Sequence, residues 1–256
     1  MKYYYINTGE NTGKYNMDFD INLAEVCKPG EFYLRLYKWN PYCISLGANQ
    51  NYEYINYDKA VNDGLDIIKR PTGGRAILHS EELTYSVIST VKDQKSAHYF
   101  YNKINKALRK GLIIYNEVLN EIELESTQPD FPKIYNEKNS NACFSSTAKS
   151  ELKFSRKKLV GSAQRKLGNN LLQHGSILCG SFHKKLADYL ILTEEEILEL
   201  NRQLNFVTTD LKSILNEDIN YSKLEESIFK GFEEYFKINF EISSINLSNK
   251  ELSQAL

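Results

Sequence analysis

The chain has 256 residues, enough for one large or two small domains, and its 41% hydrophobic and 25% charged content is typical of globular proteins. Its 32 basic and 33 acidic residues give a formal net charge of −1, which argues against a protein that attracts nucleic acid through global charge. No apolar run reaches transmembrane length and the first residues lack a signal-peptide core, so we expect a cytoplasmic protein without a membrane partner.

The first sixty residues alternate between helical and extended patterns. Asn16 is a candidate N-cap for a helix that begins near Met17. Alternating side chains over residues 32–39 predict a strand, and residues 43–46 predict a short second strand after an Asn-Pro turn. A short helix is expected over residues 57–63.

A glycine pair then separates predicted strands. The mostly apolar residues 65–68 predict a strand, and residues 75–79 and 84–90 predict two more. Gly73 and Gly74 therefore form a turn between strands, where bare backbone N–H groups are open to a ligand.

Two arginines flank this turn. Arg70 and Arg75 are able to hold an anion or a carbonyl group. The alternative is an ordinary β-turn that happens to carry two arginines. The stretch has neither the spacing of a Walker loop nor the G-x-G-x-x-G pattern of a dinucleotide site.

A long helix and a polar loop follow. Ser96 is a candidate cap for a helix whose apolar residues, Phe100, Ile104, Leu108 and Leu112, recur every four positions. Residues 122–124 predict a strand. Residues 126–142 form a polar loop with two prolines, and a loop of this length is often functional.

The four cysteines are widely spaced, without a Cys-x-x-Cys pair, so we expect free thiols and no metal site. Cys27, Cys43 and Cys179 lie in helix or strand contexts and are expected in the core. Cys143 ends the polar loop instead. By residue type alone it is either a small buried apolar residue or a reactive thiol.

Residues 156–165 predict a strand interrupted by Gly161, where a ligand is able to pass close to the backbone. Gly168-Asn169-Asn170 predicts a hairpin turn that returns the chain along residues 171–178. The returning strand carries His174. Both His174 and His79 are either general bases or hydrogen-bonded structural histidines.

The last third is predicted to be helical. Thr193 with Glu196, and Ser222 with Glu225, fit the capping-box pattern. Residues 238–242 predict a late strand. No linker or repeat divides the sequence, so we expect one domain over residues 1–256, with an α+β fold in which helices flank a mixed β-sheet.

Lys69 to Ser86 resembles the signature of the lipoate/biotin protein ligase and octanoyltransferase superfamily. Arg75 in place of a third glycine, and the segment Glu82-Leu83-Thr84-Tyr85-Ser86, resemble the LipM-type octanoyltransferase branch. Lys69 stands where the family usually has arginine, and Ser80 where it usually has aspartate. The stretches Arg35 to Gln50, Arg156 to Arg165 and Leu172 to Ser176 also resemble the family.

The resemblance implies a biotin/lipoate protein ligase-like fold and transfer of an octanoyl group from acyl carrier protein to a lysine of a lipoyl domain. It implies that Cys143 is the nucleophile and Lys158 contacts the acyl carbonyl. The expected substrate-binding residues are Arg70, Gly73, Gly74, Arg75, His79, Gly161, Ser162, Gln173 and His174. No cofactor or metal is expected, because the thioester donor is already activated.

The expected partners are therefore octanoyl-acyl carrier protein as donor and, as acceptor, a lipoyl-domain protein such as glycine cleavage H protein or a 2-oxoacid dehydrogenase E2 subunit. The first alternative is an ATP-dependent lipoate-protein ligase, in which Arg70, Arg75 and Lys158 hold an acyl-adenylate. Transfer between two lipoyl proteins, and a carrier-protein binding module without catalysis, are further alternatives.

Overall fold

The computed structural model describes residues 1–91, 94–124 and 151–242. In these ranges eleven strands form a mixed eight-stranded sheet, with strand order β11-β1-β2-β6-β10-β9-β8-β7, and a three-stranded sheet, with order β4-β3-β5. The strands are β1 Lys2–Asn11, β2 Glu31–Trp39, β3 Cys43–Leu46, β4 Asp66–Lys69, β5 Ile77–His79, β6 Glu82–Thr90, β7 Glu123–Leu124, β8 Leu152–Phe154, β9 Lys157–Leu167, β10 Asn170–Leu178 and β11 Glu241–Ile242.

Six α-helices lie in the described ranges: α1 Gly13–Val26, α2 Tyr57–Asn62, α3 Gln94–Tyr115, α4 Glu194–Val207, α5 Leu211–Leu215 and α6 Tyr221–Phe236. Three 3₁₀ segments, Tyr52–Tyr54, Glu117–Glu121 and Phe182–Tyr189, join them. The predicted α+β class with a mixed sheet is confirmed, since β1 and β2 run parallel whereas β2 and β6 run antiparallel. Among the described residues, no helix combines the length and apolar character needed to span a membrane.

Three of the predicted helix starts are wrong. Thr12, rather than Asn16, caps α1 and accepts a hydrogen bond from Tyr15 N. Helix α3 already begins at Gln94, so Ser96 lies inside it. Asn220, rather than Ser222, caps α6. Each of these segments offers several side chains able to cap, and packing of the helix selects among them.

The capping box of α4 is confirmed, because Thr193 and Glu196 exchange both hydrogen bonds. The predicted hairpin at Gly168 is also confirmed, since Leu167 of β9 pairs with Asn170 of β10.

Helices α3 and α6 cover one face of the large sheet. Their apolar residues pack with those of β2, β6, β9 and β10 in the largest core cluster, which includes Leu34, Tyr85, Leu108 and Phe232. The two helices meet at Gly111 and Gly231, where a Cβ on Gly231 would collide with the Gly111 backbone. This close approach fixes the position of α3 relative to α6.

Helix α1 covers the opposite face. Its buried residues Phe19 and Leu23 pack against Ile88 of β6 and Leu172 of β10. Because the large sheet is covered on both faces, both sides of its central strands are buried, and β2 shows buried residues without alternation from Phe32 to Tyr37.

The small sheet changes the interpretation of the glycine turn. Strand β3 lies in the middle, parallel to β4 and antiparallel to β5. The segment between β4 and β5 therefore passes across the end of β3 instead of joining two neighbouring strands. A second core, formed by this sheet with the Phe182–Tyr189 segment and α4, includes Ile44, Leu78, Leu186 and Leu204.

Candidate functional site

A partly open cavity lies where the two sheets meet. Its apolar wall consists of Met17 of α1, Tyr37 and Trp39 of β2 and Ile77 of β5. The polar wall comes from the segment after β4, from strands β5, β6, β9 and β10 and from the residue before β8. It includes Arg70, His79, Thr84, Glu151, Lys158, Ser162, His174 and Ser176. An apolar wall facing a few converging polar groups is the usual character of a small-molecule site.

Six of the eleven residues predicted from sequence line this cavity: Arg70, His79, Lys158, Gly161, Ser162 and His174. Gly73, Gly74, Arg75 and Gln173 do not line it. Gln173 is buried beside the cavity, where it donates a hydrogen bond to Tyr85 Oη and accepts one from Gln164 Nε2. The predicted nucleophile Cys143 and the polar loop 126–142 lie outside the described residues.

Arg70 shapes the glycine segment, which comprises residues 70–76 between β4 and β5. Its Nη1 donates to Ser45 O at 2.8 Å, and its Nη2 donates to Gly73 O at 3.0 Å and to Arg75 O at 2.7 Å. The side chain is buried. The sequence predicts that Arg70 holds an anion or a carbonyl group of a ligand. In the structure its guanidinium donates to carbonyl groups of the protein, and it fixes the loop from within.

The first of two buried carboxylate–histidine pairs anchors the cavity wall. Glu82 Oε1 lies 2.8 Å from His79 Nδ1, and the other ring nitrogen of His79 lies 2.8 Å from Ser45 Oγ. Trp39 stacks on the His79 ring at 4.1 Å. Burial alone would raise the pKa of Glu82, but the adjacent imidazole and hydrogen bonds from His79, Thr84 and Ser176 hold the pKa below its usual value.

The second pair joins Asp20 to His174. Their nearest atoms, Asp20 Oδ2 and His174 Nδ1, are 3.7 Å apart, and His174 Nε2 lies 2.6 Å from Thr72 Oγ1 in the glycine segment. Burial lowers the pKa of His174, and Asp20 offsets this effect only in part, so the ring is neutral at pH 7. His174 therefore ties the glycine segment to the buried ion pair of Asp20 with Arg35.

Lys158 reaches the cavity from β9. Its side chain is 2% exposed, and Nζ lies 3.1 Å from Glu151 Oε2, which belongs to a side chain only 5% exposed. The backbone of Lys158 is held by Thr209, whose N–H donates to Lys158 O. A cation is thus fixed in the wall of a partly apolar cavity, where it is able to interact with a carbonyl oxygen of a bound molecule.

Several cavity residues were missed from the sequence, notably Met17, Tyr37, Thr84, Glu151 and Ser176. The available signal was the family resemblance, because the resembling stretches include Tyr37, Trp39, Thr84 and Ser176. Met17 and Glu151 lie outside those stretches. The prediction that Cys27, Cys43 and Cys179 are core residues is confirmed, because all three are buried free thiols. Burial, and secondarily Glu31, raises the pKa of the Cys27 thiol to about 11.

Within residues 1–91, 94–124 and 151–242, no cluster of three or more His, Cys, Asp or Glu side chains is suited to hold a metal ion.

Gly47, which follows β3, and Gly73 in the glycine segment offer a matched pair of alanine substitutions. A Cβ on Gly47 would collide with the carbonyl oxygen of Gly74, whereas a Cβ on Gly73 would meet no atom within 4 Å. We expect Gly47→Ala to lower the free energy of unfolding by about 1–3 kcal/mol through overpacking, and Gly73→Ala to change it by less than about 0.5 kcal/mol. Urea unfolding of both variants checks this, and equal stabilities would contradict the close packing of the loop on Gly47.

The chain is similar to known proteins over most of its length. The family model described as the lipoyl protein ligase A/B catalytic domain matches residues 12–233. A protein of Staphylococcus aureus (strain NCTC 8325 / PS 47) named octanoyltransferase LipM is 32% identical over 258 residues, covering 98% of this chain and 92% of the relative. A protein of the same name from Clostridioides difficile (strain 630) is 34% identical over 253 residues, covering 95% of this chain and 90% of the relative.

Two solved structures have a similar fold. The bipartite lipoate protein ligase of Thermoplasma acidophilum, described with its E2 lipoyl domain, gives a TM-score of 0.77 at 18% identity, covering 98% of this chain and 90% of the other. Lipoate-protein ligase A bound with ATP gives a TM-score of 0.74 at 17% identity, covering 98% of this chain and 92% of the other. At such identities the likeness concerns the fold alone.

Proposed function

Because the chain belongs to the lipoyl protein ligase A/B catalytic domain family, we propose that it is an octanoyl-[acyl carrier protein]:protein N-octanoyltransferase of lipoate biosynthesis. The donor is octanoyl-acyl carrier protein and the acceptor is a lysine of a lipoyl-domain protein, such as glycine cleavage H protein or a 2-oxoacid dehydrogenase E2 subunit. Residues 1–256 act as one catalytic domain.

The reaction runs in two steps. The Cys143 thiolate attacks the donor thioester, the carbonyl electron pair moves to oxygen, and its return expels the carrier thiolate, which takes up a proton. The lysine amine of the lipoyl domain then attacks the acyl-cysteine, loses a proton, and releases the Cys143 thiolate as the amide forms. Dividing the transfer in this way replaces one difficult step with two easier ones.

Lys158 stabilises the oxyanion in both steps. Its side chain lies in the cavity wall, which Gly161 also lines, and charge stabilisation there is stronger than in water. The apolar wall of Met17, Tyr37, Trp39 and Ile77 suits an eight-carbon chain. Cys143 stands eight residues before Glu151, which itself lines the cavity.

The observation that carries the proposal is that near-full-length relatives at 32% and 34% identity bear the name octanoyltransferase LipM. The buried lysine in the cavity of this chain supports it. The solved structures of similar fold are ligases, yet their identity to this chain is only 17–18%. The sequence relatives therefore favour transfer from a carrier-protein thioester over activation by ATP.

The test is intact mass spectrometry after mixing the protein with octanoyl-acyl carrier protein, without ATP. We expect one octanoyl adduct, which disappears when a lipoyl domain is added and appears on that domain as an amide. If no adduct forms, and the lipoyl domain is modified only with lipoate and ATP, the protein is a ligase and the proposal is wrong.

A further inference from the structure

Glu151 lies against Lys158 in the cavity wall, and the two steps above give it no role. The two side chains form an ion pair, with 3.1 Å between Glu151 Oε2 and Lys158 Nζ. We infer that Glu151 is a positioning residue, which holds the Lys158 ammonium where the acyl oxygen gains negative charge. This inference rests on the proposed octanoyl transfer, and it assigns to that reaction a carboxylate that sequence analysis did not single out.

A lysine needs such a partner at this position. Its ammonium sits on a flexible four-carbon stem, unlike the rigid fork of arginine, so the reach of the side chain alone does not fix the charge. Removal of a charge from water is costly unless an opposite charge and hydrogen bonds accompany it. With both side chains at most 5% exposed, the carboxylate supplies the opposite charge and defines one direction for the ammonium.

The local backbone is built to bring the two together. Strands β8 and β9 form a tight hairpin through Ser155 and Arg156, which have φ of 47° and 67°. The pairing register shifts between Leu152 and Lys153 of β8, because the facing strand β9 carries an extra residue, Leu159, directly after Lys158. Thr209 N–H, which donates to Lys158 O, holds the facing strand.

The chemical consequence follows from where charge develops. As the sulfur nucleophile forms its bond to the acyl carbon, the carbonyl π electrons move to oxygen, and Lys158 donates a hydrogen bond to this oxyanion. The electrons return as the carbon–sulfur bond to the carrier breaks. Glu151 exchanges no proton in this step. It acts through Lys158 by keeping the donor in place before the charge appears, so that no reorganisation is needed.

The experiment measures single-turnover formation of the octanoyl adduct from octanoyl-acyl carrier protein in four proteins: wild type, Glu151→Gln, Lys158→Met and the double variant. Glu151→Gln should slow adduct formation by about 10- to 100-fold, the scale of a misplaced catalytic group, while the donor concentration at half-maximal rate changes by less than about threefold. Glu123→Gln, an exposed carboxylate change on neighbouring strand β7, is the matched control and should match wild type.

The double variant separates positioning from a merely structural role. If Glu151 acts through Lys158, then Glu151→Gln has almost no further effect when Lys158→Met is already present. An equal loss in both backgrounds would overturn the inference, as would a Glu151→Gln rate within threefold of wild type. Absence of an adduct in wild type is a different result, because it overturns the proposed transfer and the inference together.

A variant that keeps the charge guards against loss of folding. Glu151→Asp retains the carboxylate but shortens its reach by one methylene. We expect it to unfold within a few degrees of wild type and to form adduct at a rate between those of wild type and Glu151→Gln. If the Glu151→Asp protein is well folded and forms adduct at the full wild-type rate, the length of the Glu151 side chain is not needed to position Lys158.

Discussion

Cys143→Ala should abolish the octanoyl adduct and reduce transfer to a lipoyl domain by more than about 10⁴-fold, the scale seen when a covalent nucleophile is removed. The reason is chemical, since alanine offers no atom that can carry the acyl group between donor and acceptor. Intact mass after mixing with octanoyl-acyl carrier protein measures the first half of this prediction, and amide formation on the lipoyl domain measures the second.

The other three cysteines provide the control. Cys27, Cys43 and Cys179 are buried, and burial raises the pKa of each thiol above its ordinary value. Since the thiolate is the reactive form, these groups are poor nucleophiles. Cys27→Ala should therefore form the adduct at the wild-type rate. An adduct that persists in Cys143→Ala and is lost in Cys27→Ala would show that Cys27 is the nucleophile, and the prediction for Cys143 would be wrong.

Much of the fold was predictable because local chemistry and tertiary structure agree. The hairpin at Gly168 has residues that favour a tight turn, and the register of β9 and β10 follows from it. The strand β2 and helix α3 carry strong periodic patterns, and both are present. The topology of the small sheet was not predictable, since nothing local indicates that β3 inserts between β4 and β5.

In the candidate site, too, some residues were predictable from the sequence and others were not. Lys158, Gly161 and His174 stand in segments whose residues resembled the family, and all three line the cavity. Glu151 was missed because it meets Lys158 through a turn at Ser155 and Arg156, neither of which is a residue that signals positive φ. A bulge and an unusual turn decide that contact, and neither leaves a clear pattern in the sequence.

Arg70 illustrates a different limit. Its residue type and its place beside two glycines predict a guanidinium that holds an anion or a carbonyl group of a ligand, whereas in the structure it donates to the carbonyl groups of Ser45, Gly73 and Arg75. Sequence gives the kind of partner that a side chain prefers. Only the three-dimensional arrangement tells whether that partner is a ligand or the protein's own backbone.

Lys158→Met should slow formation of the octanoyl adduct by about 10²- to 10³-fold, as loss of one oxyanion donor does in other acyl-transfer enzymes. Methionine keeps most of the volume of the side chain but removes the ammonium that faces the cavity. Leaving Glu151 without its partner should also lower the free energy of unfolding, by about 3 kcal/mol if the carboxylate stays charged. Rapid-quench mass spectrometry and urea unfolding measure the two effects separately.

Lys157→Met is the matched control, because it makes the same lysine-to-methionine replacement at the adjacent position. Lys157 Nζ donates to Asn205 O at the surface, 3.1 Å away, and does not line the cavity. Its loss should leave the adduct rate within about threefold of wild type, as for most surface changes. If both lysine variants formed adduct at the wild-type rate, the oxyanion would need another donor. If only Lys158→Met were slow and the protein remained folded, the loss would come from the charge inside the cavity and not from stability.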